Sequence, residues 1–419
     1  MASFSFGAGN ARKLAAIPLY AAGMLLTLVV PRTRDRWVVG CAVGIADGAL
    51  ALWETAKAHG VDPVWLVADD AQEREARRRG IRTLRKSSVR ALWATARARV
   101  VVVTHGFGDV NRYAVRGAFI VQLWHGIPLK RIGLDSPETL RSGFLPNSRL
   151  VRRLLGVMYR GATSRISLIP AASHLVRGRL ESAFSLPTER VPVTGEPRND
   201  VLSRGTAEER RTRARTMVED VVGPVGDARL VLYAPTWRDG AADPAVPDGA
   251  QWDRIIDMLE RTDAVLLVRS HPLGAGEYRP PRTTSRVRGI GSDLVPDITP
   301  ALPALDVLVT DYSSLAFDAA LVPVPTVFLA PDAGEYARTR GFYGRYEDVA
   351  GPAWATDWTE AVAQIGSTLT DPVIRESRVR RAGALSRRVH AFRDGRNTER
   401  VYRAIEAALR RHQDPKGRP

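Results

Sequence analysis

Residues 36–69, RWVVGCAVGIADGALALWETAKAHGVDPVWLVAD, contain an apolar run, a loop with glycines, a helical segment and a second apolar run. A strand, a helix and a second strand in this order form a βαβ unit, the building block of a parallel sheet covered by helices. The sequence therefore predicts an α/β fold for the first part of the chain.

The same alternation continues toward the C-terminus. Further strands are predicted at residues 99–104 and 119–123 and in SRISLIP and RVPVTG, and a second series follows with ARLVLYAPTW, AVLLVRS, ALDVLVTD and PTVFLA. Most of these strands are nearly continuous apolar runs, as burial on both faces of a parallel sheet requires. The pattern predicts two Rossmann-like, doubly wound parallel-sheet domains that face a cleft at the carboxyl ends of their strands.

Changes in composition along the chain indicate where the domains begin and end. The predicted segments are an apolar and basic membrane-associating segment at 1–34, a first Rossmann-like domain at 35–205, a charged linker at 206–226, a second Rossmann-like domain at 227–390, a C-terminal helix packing across the domains at 391–412 and a disordered tail at 413–419.

The charge of the chain predicts an anionic partner. Its 419 residues include 61 Lys and Arg against 45 Asp and Glu, a formal net charge of +16. Nucleic acid is disfavoured as that partner, because the aromatic residues lie mostly in predicted strands and are not interleaved with the basic runs. The single cysteine, Cys41, excludes an internal disulfide and favours a reducing, cytoplasmic compartment.

Residues 14–30, LAAIPLYAAGMLLTLVV, form an apolar segment with cations on both sides. The segment is shorter than the ~20 residues that cross a bilayer, contains Pro18, and is followed by no clear cleavage site. Two interpretations remain open, a helix lying in the inner leaflet of the membrane and a buried helix of the first domain.

The unusual polar residues follow predicted strands. His125 follows the strand that ends near Leu123, and the others are Arg198 and Asn199 after VPVTG, Arg238 after LVLYAPTW, Arg269 and His271 at the end of AVLLV, and Ser313 after VLVTDY. Since ligands of open α/β folds bind at this edge, these residues are candidates for one site. A lone histidine such as His125 can also be a core residue with a satisfied hydrogen bond.

Two motifs predict a site for a diphosphate. In VTDYSSLAFDAAL, residues 309–321, Ser313 and Ser314 stand at the start of a helix, where phosphates bind, although a serine there can also serve only as an N-cap. In RSHP, Arg269 and His271 suit a diphosphate through a two-pronged contact and a charged hydrogen bond. Without a metal-binding motif, the sequence predicts that the cations neutralise the phosphates and that the site needs no metal or other cofactor.

Taken together, the motifs resemble the CDP-glycerol glycerophosphotransferase family, the teichoic-acid primases and polymerases of bacterial envelopes. The resemblance covers residues 37–405 and is carried by QLWHGIPLKRIGLD, TGEPRND, LYAPTWRD, RSHP, TDYSSLAFD and RTRGFY, in this order. It implies a GT-B fold, a peripheral enzyme on the cytoplasmic face of the plasma membrane, and transfer of glycerol phosphate from CDP-glycerol to a polyprenyl-diphosphate-linked acceptor.

The resemblance also implies roles for individual residues. His125 is the implied base that deprotonates the acceptor hydroxyl. The implied contacts of the donor diphosphate are His271, which we count with His125 as catalytic, and Arg238, Ser313 and Ser314, with Asp318 contacting the ribose or a terminal hydroxyl. Lys130, Arg131, Arg198 and Asn199 are expected on the acceptor side.

Two alternative functions remain open at this point. CDP-ribitol or a sugar nucleotide could replace CDP-glycerol, because the named residues recognise phosphates and not carbon chains. The other alternative, a membrane-bound nucleotide-binding scaffold without catalysis, is disfavoured because a binder needs no base beside its acceptor.

Overall fold

The computed structural model describes residues 17–141, 148–236, 238, 243–270 and 277–413. They divide into two compact units. Unit 1 comprises the described residues up to His125 together with Arg131–Asp200 and the chain from Ala391 onward, and unit 2 comprises Gly126–Lys130 and Val201–His390.

Unit 1 is a parallel sheet with helices. Its strands are β1 Thr33–Val39, β2 Asp62–Val67, β3 Thr83–Arg85, β4 Ala98–Val103 and β5 Phe119–Gln122, in the spatial order β3-β2-β1-β4-β5. All four strand pairs are parallel. Its helices are α1 Ile17–Val29, α2 Asp47–Ala58, α3 Asp70–Arg78, α4 Val89–Arg97, α5 Arg149–Thr163, α6 His174–Phe184 and the C-terminal α14 Asn397–Gln413.

Unit 2 repeats the same architecture. Its strands are β6 Arg229–Ala234, β7 Ala264–Val268, β8 Val287–Gly289, β9 Val307–Thr310 and β10 Thr326–Phe328, again all parallel, in the order β10-β9-β6-β7-β8. Its helices are α7 Ala207–Val222, α8 Gly249–Arg261, α9 Leu315–Leu321, α10 Ala333–Thr339, α11 Glu347–Ala350, α12 Trp358–Thr370 and α13 Pro372–Val389. In each unit the strand order reverses beside the first strand, which is where doubly wound sheets bind their ligands.

The core explains why the strands are continuous apolar runs. In β4, Val100 and Val102 join the cluster on one face of the sheet, while Val101 and Val103 join the cluster on the other face. All four side chains are fully buried. Burial of each contributes about 1.5–3 kcal/mol, and the predicted doubly wound α/β class is confirmed.

Two predicted strands of the first domain are reduced to single bridges. The segment around Leu168 forms a bridge at Leu168 with Val121, and Val193 forms a bridge with Ala171. Pro170 and Pro192 lie beside them in the sequence and lack the N–H that would continue a ladder.

The predicted linker at 206–226 contains helix α7 of unit 2. The helix begins with a capping box between Thr206 and Glu209, and it buries Ala214 and Val218 in the core. Its charged residues lie on the solvent-facing side of a packed helix, so the segment predicted as a charged linker belongs to unit 2.

Helix α14, predicted to pack across the domains, contacts α2 within unit 1. Val401, Ile405 and Leu409 are buried in the same core cluster as Leu52 of α2. Asp200 fixes the start of α14, because its carboxylate accepts hydrogen bonds from the backbone N–H of Asn397 and Thr398 at 2.9 and 2.8 Å.

Helix α1 falls within the predicted membrane-associating segment. It contacts α4, and Tyr20 packs edge-on against Tyr113 with 4.9 Å between ring centroids. Its other side leaves Leu25, Leu28 and Val29 exposed. Among the described residues, no helix combines the length and the apolar character needed to cross a membrane.

Candidate active site

In unit 1, the candidate residues lie at the carboxyl ends of three strands. Asp47 lies in the segment after β1, His105 follows β4, and His125 follows β5. Because the strands are parallel and adjacent in the order β1-β4-β5, these segments lie at the same edge of the sheet.

The segment Trp124-His125-Gly126 leaves the strand through an unusual backbone conformation. Trp124 has φ of +64° and Gly126 has φ of +127°, both in the left-handed region. A bulky residue held there costs roughly 1–3 kcal/mol. The packing of Trp124 offsets this cost, since its ring is buried, lies 4.3 Å from the His125 ring and packs edge-on against Phe184.

His125 stacks on a second histidine. The ring centroids of His105 and His125 are 4.5 Å apart and the ring planes differ by 8°. Burial, followed by the charges of His105 and Arg198, lowers the pKa of His125 to about 3, although a hydrogen bond to the backbone of Thr104 acts in the opposite direction. The imidazole is therefore neutral at physiological pH.

Arg198 holds the backbone at His125. Its Nη1 donates to the His125 carbonyl at 3.1 Å, and its Nε lies 3.2 Å from Oδ1 of Asp47. Both side chains of this ion pair are largely buried, at 12% and 7% exposure. Arg198 therefore acts on the position of His125, and Asp47, which the sequence analysis did not select, orients Arg198.

The neighbouring Asn199, which was expected on the acceptor side, is buried. It is 2% exposed, and its Nδ2 donates to Oε2 of the equally buried Glu196 at 3.3 Å. The turn GEPRND thus serves partly to join the chain to α14, through Asp200, and the structure gives Asn199 no exposed surface at which to meet an acceptor.

Lys130 and Arg131, predicted together on the acceptor side, belong to different units. Lys130 forms a bridge with Phe342, and the Tyr343 N–H donates to the Leu129 carbonyl at 3.0 Å. Parts of the two motifs QLWHGIPLKRIGLD and RTRGFY therefore meet within unit 2. Arg131 is exposed and belongs to unit 1.

In unit 2, Arg238 is the centre of a buried charge network. Its Nη1 donates to Asp311 at 2.9 Å and its Nη2 to Asp332 at 3.1 Å, while the guanidinium lies 5.0 Å from the Tyr312 ring centroid. Burial lowers the pKa of Arg238, but the two carboxylates outweigh burial and hold the pKa above its usual value. With two carboxylates against one guanidinium, Arg238 organises the surrounding loops instead of presenting a net positive charge.

Asp311 joins the loop after β6 to the loop after β9. Its Oδ1 accepts from the backbone N–H of Thr236 at 2.8 Å and of Tyr312 at 2.6 Å. The half-buried Ser313 and Ser314 follow at once, at the start of α9. Ser313 Oγ accepts from the Leu315 N–H at 3.3 Å, which is a capping role, and this contact is compatible with a further ligand on the hydroxyl.

The remaining donor-side predictions have mixed outcomes. Asp318 lies within α9 and is fully buried. The guanidinium of Arg269 donates to the backbone carbonyls of Ile290, Val295 and Pro296, and these contacts are structural. His271 lies outside the described residues. Within the described ranges, no group of three or more His, Cys, Asp and Glu could hold a metal ion.

Sequence reasoning missed four residues of these sites, namely Asp47, His105, Asp311 and Asp332. Two of them had a usable signal. His105 follows the strand ARVVVVT and Asp311 follows VLVT, the same positional rule that selected His125 and Ser313. Asp47 and Asp332 had no such signal, because only the folded chain brings them to Arg198 and Arg238.

Comparison with known proteins identifies several relatives. The family model described as CDP-glycerol:poly(glycerophosphate) glycerophosphotransferase matches residues 27–407. The teichoic acid glycerol-phosphate transferase of Staphylococcus aureus is 27% identical over 330 residues, 76% of this chain and 79% of that protein. The teichoic acid poly(glycerol phosphate) polymerase of Staphylococcus epidermidis is 31% identical over 245 residues, 56% of this chain but only 32% of that protein.

A solved structure extends the likeness to the fold. A variant of the wall teichoic acid polymerase TagF, soaked with CDPG, matches with a TM-score of 0.76 and 20% identity, over 96% of this chain and 97% of that one. The likeness shows the GT-B fold.

Proposed function

The chain belongs to the CDP-glycerol:poly(glycerophosphate) glycerophosphotransferase family, and we propose that it transfers glycerol phosphate from CDP-glycerol to a hydroxyl of a polyprenyl-diphosphate-linked acceptor in the synthesis of a teichoic-acid-like wall polymer. The relative from Staphylococcus aureus named a glycerol-phosphate transferase, aligned over most of both chains, supports this reaction. The observation that carries the proposal is the imidazole of His125, stacked on His105 and held through its backbone by Arg198 at the carboxyl edge of its sheet.

In the proposed reaction, the acceptor hydroxyl attacks the β-phosphorus of CDP-glycerol. A new O–P bond forms, the bond to the CMP oxygen breaks, and the hydroxyl proton passes to the imidazole of His125. Proton acceptance by a positioned base contributes ~10²–10⁴-fold in rate. CMP leaves as a stable phosphate monoester, so the reaction requires no strong acid at the leaving oxygen.

The donor side is assigned to unit 2. Phosphoryl transfer depends chiefly on alignment and on donors placed around the phosphate oxygens. The serine hydroxyls at the start of α9 supply such donors, and Arg238 with Asp311 fixes the loops that carry them. Ser313 and Ser314 are therefore proposed as direct contacts of the diphosphate, Arg238 as a positioning residue, and His271 as a further contact by its motif.

We also propose that the enzyme binds the anionic surface of the inner membrane through helix α5. The helix buries Gly156, Tyr159 and Thr163 and, on its opposite side, exposes the apolar stripe Leu150, Leu154, Val157 and Met158. Arg149, Arg153 and Arg160 lie beside the stripe, and the helix contains no acidic residue. An apolar stripe flanked by cations suits the boundary of an anionic leaflet, where each Arg contributes about 1 kcal/mol.

The test measures nucleotide release by the purified protein. CDP-glycerol, CDP-ribitol and UDP-sugars are supplied separately, each with and without a lipid-linked glycerophosphate acceptor analogue. We expect acceptor-dependent CMP release from CDP-glycerol that His125→Ala reduces ~10²–10⁴-fold. His174→Ala, at an exposed histidine of α6, is the matched control and keeps wild-type activity.

The other outcomes select other functions. Release from CDP-ribitol or a UDP-sugar alone would replace the donor and keep the reaction type. Binding of CDP-glycerol without turnover under any condition would overturn the proposed transfer and favour a nucleotide-binding scaffold.

A further inference from the structure

His105 has no role in the reaction described above, yet its ring stacks on the ring of His125. The two rings overlap nearly face to face, at 4.5 Å and 8°. The His105 ring therefore covers one face of the His125 ring. Such a contact restricts rotation of the His125 side chain without using either of its nitrogens.

Hydrogen bonds also fix the position of His105. Its Nδ1 lies 2.8 Å from the Thr104 hydroxyl, which also lies 3.2 Å from Oδ2 of Asp109. The same carboxylate oxygen accepts from the backbone N–H of Thr104 and of His105, both at 2.8 Å. The segment from Thr104 to Asp109 is thus a hydrogen-bonded turn that fixes the plane of the His105 ring.

The turn is also packed tightly against β1. A Cβ atom at Gly40, directly after β1, would lie 2.3 Å from the carbonyl oxygen of Asp109. Only glycine fits this close approach, so the turn cannot shift toward β1. The stacked pair is therefore supported on the His105 side by Asp109 and on the His125 side by Arg198.

We propose that His105 is a positioning residue for the transfer reaction, which fixes the ring plane of His125 and, because two imidazolium ions cannot lie face to face, adds to the burial that keeps His125 in its neutral form. The proposal rests on the function proposed above, in which His125 is the base. It assigns His105 no contact with substrate.

The charged surroundings of the pair agree with this role. Asp109 faces His105, and Arg198, with its partner Asp47, faces His125. Burial lowers the pKa of His105, and the Asp109 carboxylate partly offsets this. Burial raises the pKa of the nearby Cys41 thiol, which stays neutral. When the pair takes up one proton, the carboxylate favours placing it on His105, and the charge on His105 then opposes protonation of His125.

The sign of the expected pH effect follows from this repulsion. Without a second imidazole, His125 loses a neighbour that opposes its protonation, so its pKa rises. A base is active in its neutral form, and the acid limb of the rate profile therefore moves to higher pH in the variant. Two groups coupled in this way shift each other by about one pH unit or more.

The experiment compares three variants of the full chain. His105→Phe keeps a ring for stacking but cannot be charged, His105→Gln keeps a polar partner for Thr104 without a ring, and His105→Ala removes both. For each we would measure kcat and KM for CMP release across about pH 3 to 9, a range that includes the low pKa of His125. We would also follow the titration of the His125 ring by NMR with labelled histidine, assigning its signal by its loss in His125→Ala; the chain has seven histidines.

We expect the acid limb and the His125 titration to rise together in all three variants by about one pH unit or more. On the alkaline plateau, His105→Phe keeps kcat near wild type, whereas His105→Gln and His105→Ala lower kcat ~10-fold with KM unchanged, because ring alignment is lost. The proposal would be overturned if neither the His125 pKa nor the acid limb of the rate profile changed in the variants. It would also be overturned if His105→Phe and His105→Ala lost the same fraction of kcat on the alkaline plateau. If the wild type releases no CMP, the proposed function fails, while the NMR titration still tests the His105–His125 coupling.

Discussion

The Asp47–Arg198 ion pair gives the first residue-scale prediction, because it connects a buried charge to the position of the base. Arg198→Ala removes both the cation that compensates Asp47 and the donor to the His125 carbonyl. Breaking a buried pair costs about 3–5 kcal/mol of unfolding free energy. We expect denaturant unfolding to show this loss, and kcat to fall ~10-fold with KM for CDP-glycerol unchanged.

Arg165→Ala is the matched control for this prediction, since Arg165 is an exposed arginine of the same unit. It should leave both the unfolding free energy and kcat at wild-type values. Loss of stability in Arg198→Ala with full kcat would reduce Arg198 to a structural residue.

Two glycines of unit 1 offer a matched test of close packing at the residue scale. Gly195 and Gly60 have similar positive φ angles, +76° and +82°, but a Cβ at Gly195 would lie 2.1 Å from Asn397 Oδ1, whereas at Gly60 it would meet nothing within 4 Å. Gly60→Ala should therefore cost about 1–2 kcal/mol from its backbone conformation alone. Gly195→Ala should cost about a further 1–3 kcal/mol because the Asn397 amide, which donates to the Glu196 carbonyl at 3.2 Å, must move away. Equal unfolding free energies for the two variants would show that the turn at Gly195 accommodates the added methyl group without further cost.

At the scale of elements, the sequence predicts which segments form strands and helices better than it predicts which elements pack against each other. The alternation of apolar runs and helical segments predicted four of the five strands of each sheet, because buried parallel strands leave a strong local signal. The short strands β3 and β8 lack that signal, since none of their residues is fully buried. Helix α7 was assigned to a linker, since only Ala214 and Val218 are fully buried among its many charged residues. The apolar stripe of α5 went unremarked for the opposite reason, because its exposed leucines look like a core face until the structure shows which side is packed.

Helix α5 gives the element-scale prediction. Leu154→Glu combined with Met158→Glu places two carboxylates in the apolar stripe, and should reduce co-sedimentation with vesicles of anionic phospholipid ~10-fold or more, since each substitution removes apolar burial and adds repulsion. Leu175→Glu, at an exposed leucine of α6, is the control and should sediment as the wild type does.

Changing the lipid composition of the vesicles separates the apolar contribution to this binding from the electrostatic contribution. Vesicles of phosphatidylcholine alone should bind the wild type weakly, because the arginines then meet no net charge. Undiminished binding of the double variant to anionic vesicles would contradict a membrane role for α5 and leave α1 as the candidate.

At the scale of the whole molecule, the sequence predicted candidate residues at strand ends but not the contacts that each of them makes. His125 and Ser313 were selected by position after a strand, and the structure places both at the carboxyl edge of a sheet. Arg198 follows no strand of the sheet and reaches this edge through its hydrogen bond to the His125 carbonyl. Arg238 and Arg269 were selected by the same rule, yet their charges are engaged by Asp311 with Asp332 and by backbone carbonyls. These contacts come from loops distant in sequence, so no local pattern predicts them.

We expect the two units to divide the reaction between them, and this division can be measured. If unit 1 supplies the base and unit 2 holds the donor, His125→Ala should lower kcat while the Kd for CDP-glycerol, measured by calorimetry, stays within about threefold of wild type. The combined variant Ser313→Ala and Ser314→Ala should weaken that Kd ~10-fold, because two hydrogen bonds to charged phosphate oxygens are lost. Ser285→Ala, at a serine exposed elsewhere in unit 2, controls for a general effect of losing a hydroxyl. A weakened Kd in His125→Ala would place the donor phosphates against unit 1 and remove the basis for assigning His125 to the acceptor alone.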